Sequence, residues 1–273
     1  MGSAAATPML QQVLAAVRDA GRQIEAIRRQ GVTVADKADA SPVTEADHAA
    51  DAALKDRLRA VEPAAWLSEE TQDSAARLGA TRLWIVDPLD GTKEFIQGLP
   101  EYTVAVAFVV AGDPVLGVVH NPATEDTYWA ERGRGAFRNG AKIGIAEGSS
   151  LLASRSEMKR GEFDGFGNWD LVSIGSIEYK LALVACGEGA ATLARGPKWE
   201  WDVCAGALIV REAGGVVTDA FGGPLRFNQP FPKVKGIIAG APAAYRRVLE
   251  QVRETGASDR MDEFTDLPGG YST

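Results

Sequence analysis

The chain has 273 residues, 45% of them hydrophobic, with 37 acidic against 29 basic side chains and a formal net charge of −8. That length and apolar content can bury a large core, in one big domain or in two intimately packed ones. The charge excludes a nucleic-acid polymer as partner, because binding a phosphate backbone needs clustered Lys and Arg, but a small anion stays open where divalent metal neutralises carboxylates locally.

The start of the chain, Met1 to Pro8, lacks the charged and apolar regions of a signal peptide. The longest apolar run, Tyr102 to Ala111, is too short to span a membrane. Cys186 and Cys204 each sit in an apolar segment and read as buried free thiols. The expected location is the cytoplasm.

Leu10, Val13, Leu14, Val17, Ile24 and Ile27 recur at helical spacing and predict an amphipathic first helix ending before Gly31. A second helix is expected to open at Thr44, capped by its hydroxyl, with Ala49, Ala53, Leu54 and Leu58 inward. Asp47, three residues on, reads locally as the partner in a capping box. Leu67-Ser68-Glu69-Glu70 is the first acidic cluster. Then Trp84 to Asp90 reads as a buried strand ending in two carboxylates, Asp87 and Asp90, on a proline-stiffened turn followed by Gly91-Thr92. Asp-Pro and Asp-Gly are ordinary turn dipeptides. Two hard anionic ligands at a strand end, with backbone N–H groups just beyond, also outline a site for Mg²⁺ and a phosphate.

The segments Tyr102 to Val110, Val115 to Val119, Thr127 to Glu131 and Ala136 to Asn139 predict an antiparallel meander. Gly133-Arg134-Gly135 fits a hairpin turn better than a dinucleotide fingerprint, since Arg138 stands where the third glycine belongs. The small, polar stretch from Gly144 to Ser150 suggests a boundary, giving an N-terminal half, 1–147, that carries most of the acidic cluster, and a C-terminal half, 148–273. Beyond it strands at 151–154, 171–174, 190–194, 216–219 and 236–239 alternate with helices at 176–186, 202–212 and 242–253, behind a Gly-rich loop through Gly167. That is an α/β pattern. The tail from Glu254 to Thr273 is polar enough to be loosely ordered.

Trp84-Ile85-Val86-Asp87-Pro88-Leu89-Asp90-Gly91-Thr92, Trp201-Asp202 with Glu212-Ala213-Gly214-Gly215, Pro42-Val43-Thr44 with Asp47, and Glu69-Glu70 stand in one order along the chain. Together these motifs resemble the inositol monophosphatase superfamily of Mg²⁺-dependent, lithium-sensitive phosphomonoesterases. The resemblance implies that family's αβαβα layered sandwich, with the active site between the halves. It implies that Glu69, Asp87 and the Leu89 carbonyl hold one Mg²⁺, that Asp87, Asp90 and Asp202 hold a second, and that a third, weaker ion has room near Glu69. It places the N–H groups of Gly91 and Thr92 on phosphate oxygens, and Thr92 with Asp47 on the attacking water. The expected partner is a small phosphorylated substrate, with a second copy of the chain as a further one.

Other chemistries fit poorly. A haloacid-dehalogenase-type phosphatase needs its nucleophilic Asp where Pro88 stands, and the two histidines, His48 and His120, are too few for a zinc hydrolase and read as a surface residue and a turn residue. For the substrate, Lys93-Glu94-Phe95 and Gly196-Pro197-Lys198-Trp199-Glu200-Trp201-Asp202 resemble the 3'(2'),5'-bisphosphate nucleotidase branch. Arg195, seven residues before Asp202, then suits a second phosphate better than a polyol hydroxyl. Lys93, Arg195 and Glu200 are the expected substrate-selecting residues, and 3'-phosphoadenosine 5'-phosphate the expected substrate. The spacing from Gly175 to Lys180 is nearer the inositol branch, so inositol 1-phosphate, histidinol phosphate and sugar bisphosphates stay open, as does a degenerate metal-binding regulator on the same fold.

Overall fold

The computed structural model describes residues 6–36 and 42–255, so the polar tail beyond 255 lies outside the described residues. Helix α1 (Pro8–Gln30) is entered through Thr7, whose hydroxyl accepts the Leu10 N–H, and Pro8 sits in the first turn, where no N–H is needed. Strands β1 (Val34–Asp36) and β2 (Pro42–Thr44) pair antiparallel, a ribbon that the sequence pattern does not announce. Helix α2 (Glu45–Val61) follows directly.

Next come β3 (Ala65–Ser68), a 3₁₀ turn (Ala75–Gly79), β4 (Arg82–Asp90), the short helix α3 (Thr92–Ile96), and strands β5 (Thr103–Val110), β6 (Asp113–Asn121), β7 (Asp126–Glu131), β8 (Ala136–Arg138) and β9 (Ala141–Ile143). They form one seven-stranded sheet in chain order, with β3 parallel to β4 and every later pair antiparallel. This is the expected meander, extended by β9. The second sheet holds β10 (Ser150–Ala153), β11 (Asp170–Ser173), β12 (Ala191–Ala194), β14 (Val216–Thr218) and β16 (Ile237–Gly240) in the order β11-β10-β12-β16-β14. Strands β13 (Lys198–Trp199) and β15 (Lys233–Val234) pair separately. Helices α4 (Arg155–Lys159), α5 (Ile177–Ala185), α6 (Cys204–Glu212) and α7 (Pro242–Glu254) complete the chain. Helix α4 corrects the expectation of an unstructured Gly-rich loop.

Strand alternation explains the layering. Trp84, Val86, Val104 and Val106 point to one face of the large sheet and pack with Leu10, Val17, Leu54 and Leu58 of α1 and α2. Ile85, Ala105 and Ala107 point to the other face and share a core with Leu181 of α5, Val203 and Ile209 beside and within α6, and Ala194, Ile237 and Ala239 of the second sheet. The outer face of that sheet, through Leu151, Leu193 and Ile238, meets Tyr245 and Val248 of α7. The result is the αβαβα sandwich. Because β4 is buried on both faces, it reads as a continuous apolar run. Helix α6 comes so close to the sheet that a Cβ at Gly117 would lie 2.7 Å from the Ala205 carbonyl.

His48 is exposed, as expected, but His120 is no turn residue. It lies in β6 at 5% exposure, its Nδ1 is 3.0 Å from Thr127 Oγ1, and its ring fills the space left by Gly21, where a Cβ would sit 2.8 Å away. Burial is the main cause that lowers its pKa from 6.5 to about 4. Between those values the unfolded chain binds a proton that folded His120 refuses, so His120 contributes stability above pH 6.5 that is lost as pH falls through about 4. Unfolding free energies from urea titrations at pH 7 and pH 4.5 are expected to differ by ~2 kcal/mol less in His120→Gln than in the parent chain. An equal drop in both would remove His120 as a cause.

Candidate active site

Strand β4 delivers the first carboxylates. Parallel pairing sets Ser68 beside Val86, and the Glu69 N–H continues to the Val86 carbonyl at 3.4 Å, which brings Glu69 alongside Asp87. Between Asp87 and Asp90 the register with β5 slips, at Pro88, which has no N–H to give the ladder. Gly91 follows at φ +96°, and a Cβ there would sit 2.7 Å from the Glu101 carbonyl, so only glycine fits. Helix α3 then starts at Thr92.

Asp47 serves two neighbours with two oxygens. Its Oδ2 accepts both the N–H and the hydroxyl of Thr44 at 2.7 Å, completing the capping box of α2, while its Oδ1 is 3.1 Å from Thr92 Oγ1. The Thr92 hydroxyl is also 3.1 Å from the Leu89 carbonyl. The cap and the contact with Thr92 coexist.

Asp90 is held from the far side. Its Oδ2 accepts the Ser176 hydroxyl at 2.5 Å and the Glu178 N–H at 2.7 Å, both at the N-terminus of α5. Ser176 does this from a positive φ, +54°. Asp202 Oδ2 accepts the Trp199 N–H at 2.8 Å, and Asp87 Oδ1 the Leu89 N–H at 3.0 Å. Each of the three carboxylates therefore has one oxygen pinned and one that takes no hydrogen bond from the described residues. Burial, then the charges of Glu69, Asp90 and Asp202, push Asp87 well up. Burial, then Asp90 and Glu69, push Asp202 up to about 8. Burial also raises Asp90, against the pull of Ser176, Glu178, Lys180 and Lys198. Among the described residues no three His, Cys, Asp or Glu side chains are already gathered tightly enough to hold an ion. Asp87, Asp90 and Asp202 are acids whose pKa burial raises, each with a hard oxygen turned from its backbone donor, and that donor chemistry fits Mg²⁺.

These residues line a cleft of about 430 Å³ that several basic side chains share. Lys180, only 2% exposed, sends its Nζ to within 3.3 Å of the Ile174 carbonyl, and burial lowers its pKa. Lys198 pairs with buried Glu157 at 2.9 Å; burial pulls its pKa down, but Glu157 together with Asp202 and Asp90 makes the net shift upward. Lys159 and Ser156 of α4 and exposed Lys93 stand on the same cleft. Arg155 also lines it but is engaged by Glu101, which in turn accepts the Gly175 N–H at 2.6 Å.

Two expected selectors stand elsewhere. The Arg195 guanidinium lies 5.4 Å over the Phe166 ring and donates to Thr255 Oγ1 at 2.6 Å, on the α7 side of the second sheet. Glu200 is fully buried and accepts the N–H groups of Asn228 and Gln229, at 2.7 and 2.8 Å, so it anchors that loop. Counting back from Asp202 missed that the chain turns between β12 and β13. Lys180 was the signal available, one of two charges, with Glu178, inside the otherwise apolar helix Ile177–Ala185.

Comparison with known proteins agrees with this geometry. A profile described as the Inositol monophosphatase family matches residues 5–257. The "Nus factor SuhB" of Pseudomonas aeruginosa is 34% identical over 90% of this chain and 96% of its own, and the "3'(2'),5'-bisphosphate nucleotidase CysQ" of Escherichia coli is 37% identical over 81% and 94%. The solved structure of an IMPase from Thermotoga maritima superposes with a TM-score of 0.80 at 28% identity, covering 93% of this chain and 99% of that one. The chain belongs to the inositol monophosphatase family of metal-dependent phosphatases.

Proposed function

We propose that the chain is a Mg²⁺-dependent phosphomonoesterase that hydrolyses 3'-phosphoadenosine 5'-phosphate to AMP and phosphate in the cytoplasm. The observation that carries this reading is the set of four lysines, Lys93, Lys159, Lys180 and Lys198, that line the same cleft as the carboxylates. One phosphate held by metal and backbone N–H groups needs no such set, whereas a second phosphate does. The CysQ relative, named as a bisphosphate nucleotidase, supports the same substrate class. Of the selectors expected from the sequence, Lys93 stays in this proposal, and Lys180 and Lys198 replace Arg195 and Glu200.

Glu69, Asp87 and the Leu89 carbonyl would hold one ion, and Asp87, Asp90 and Asp202 a second. When bound, Mg²⁺ neutralises phosphoryl oxygens, lowers the pKa of water and stabilises the leaving alkoxide. The protein's own part is positioning. The Gly91 and Thr92 N–H groups face the phosphate, Thr92 Oγ1 orients the water, and Asp47 Oδ1 takes its proton through that hydroxyl. Asp47 Oδ2 stays on Thr44, so the base cannot swing away.

Phosphate release is expected to stop in chelator, to return with Mg²⁺ and to be inhibited by Ca²⁺, whose larger coordination sphere relaxes the octahedral demand. Full activity in verified metal-free protein would sink the mechanism. Thr92→Ala is expected to lower kcat more than KM, because the water is oriented chiefly in the transition state; wild-type kcat in that variant would move the role elsewhere. Lys180→Met is expected to raise KM for 3'-phosphoadenosine 5'-phosphate by about ten- to a hundredfold, a charge-assisted contact being worth roughly 1.5–3 kcal/mol, and to leave a monophosphate such as inositol 1-phosphate little changed. Equal losses on both substrates would turn the assignment to the inositol or sugar phosphatases.

A further inference from the structure

Glu178 is fully buried, does not line the cleft, and has no part in the chemistry above. It stands in the first turn of α5, and its backbone N–H is one of the two groups that pin Asp90 Oδ2. Its side chain leaves that helix altogether. Oε1 accepts the Ala205 N–H at 3.1 Å and Oε2 accepts the Gly206 N–H at 2.6 Å, both in the first turn of α6. Helix α6 needs this help, because its own N-cap residue is Val203, which has no side-chain acceptor to offer. A carboxylate also suits the positive end of the helix dipole. The fit is close: a Cβ on Gly206 would lie 2.4 Å from Glu178 Oε2.

One residue thus joins the helix end that grips Asp90 to the helix end that begins two residues after Asp202. We infer that Glu178 is a positioning residue, clamping the N-termini of α5 and α6 so that Asp90 and Asp202 keep the separation a shared ion requires. The inference rests on the proposal that these two carboxylates hold one ion. Two N–H donors demand two acceptor oxygens. A glutamine supplies one oxygen and sets an NH₂ group against the other donor.

The test measures ion binding directly, by calorimetry with Mg²⁺ and by the paramagnetic resonance of Mn²⁺, on metal-stripped full-length protein without substrate. Glu178→Gln is expected to weaken one of two classes of ion by about ten- to a hundredfold and to leave the other unchanged, the weakened class being the one that Asp90→Asn abolishes. Glu178→Asp, milder for folding because it keeps the charge and shortens the reach, is expected to weaken the same class by less. Unchanged affinities with a lowered thermal midpoint would overturn the inference and leave Glu178 a plain helix cap. Equal weakening of both classes would overturn it too, as general loosening. If Asp90→Asn abolishes neither class, the ion assignment falls and takes the inference with it. A flat response to Glu178→Gln beside a normal response to Asp90→Asn removes the inference alone.

Discussion

The structure depends on keeping several carboxylates together in a place where they repel. Two like charges 4 Å apart at an effective dielectric near 20 cost about 4 kcal/mol, and on top of burial the charges of Glu69, Asp90 and Asp202 raise the pKa of Asp87 while those of Asp90 and Glu69 raise that of Asp202. A chain that merely collapsed would turn these side chains outward. Here backbone donors hold three of them in place: Leu89 N–H for Asp87, the head of α5 for Asp90, and Trp199 N–H for Asp202. The slipped register at Pro88, the glycine at 91 and the close approach of α6 to the sheet are the local geometry that makes those donors available.

The division of labour across the cleft follows from the fold. The large sheet and the start of α2 supply Glu69, Asp87, Asp90, Asp47 and Thr92, which are the groups suited to bond breaking. Segments after residue 150 supply Asp202 to that set, and also Lys159, Lys180 and Lys198, which with Lys93 of α3 are suited to choosing what is bound. Because α5 and α6 lie between the two sheets and share one core with both, the two sets are held by the same packed side chains. Selectivity can therefore change in one set while the other stays fixed, provided the helix heads do not shift.

Legibility in the sequence tracked how local each determinant is. The run Trp84 to Asp90 could be read because a strand buried on both faces must be apolar throughout, and the two aspartates break that pattern where the strand ends. The Thr44 and Asp47 box was equally plain, being closed within one helical turn. Arg195, reached by counting back from Asp202, lies off the cleft because sequence distance says nothing of which way a strand end turns, and Glu200, taken from the motif around Asp202, spends its carboxylate on the N–H groups of Asn228 and Gln229. Lys198 stood in a segment already singled out, but its pairing with Glu157, 41 residues away, is tertiary. Glu178 was the least visible, since a helix cap is normally sought beside the helix it serves and α6 takes its own from α5.

Ser176 carries a consequence of a different kind. Its positive φ is one that glycine tolerates better, and such positions cost of order 1–3 kcal/mol in a residue with a side chain. What the serine brings in return is a hydroxyl that donates to Asp90 Oδ2 and accepts the Tyr179 N–H to cap α5. Losing that cap to glycine costs only about a few tenths of a kcal/mol. A lineage drifting under selection for thermal robustness alone would find glycine here an easy improvement and would lose one of the two donors on Asp90. This position separates what benefits the folded chain from what benefits its cleft, and ancestral or consensus redesign that scores only stability would choose the wrong residue at it.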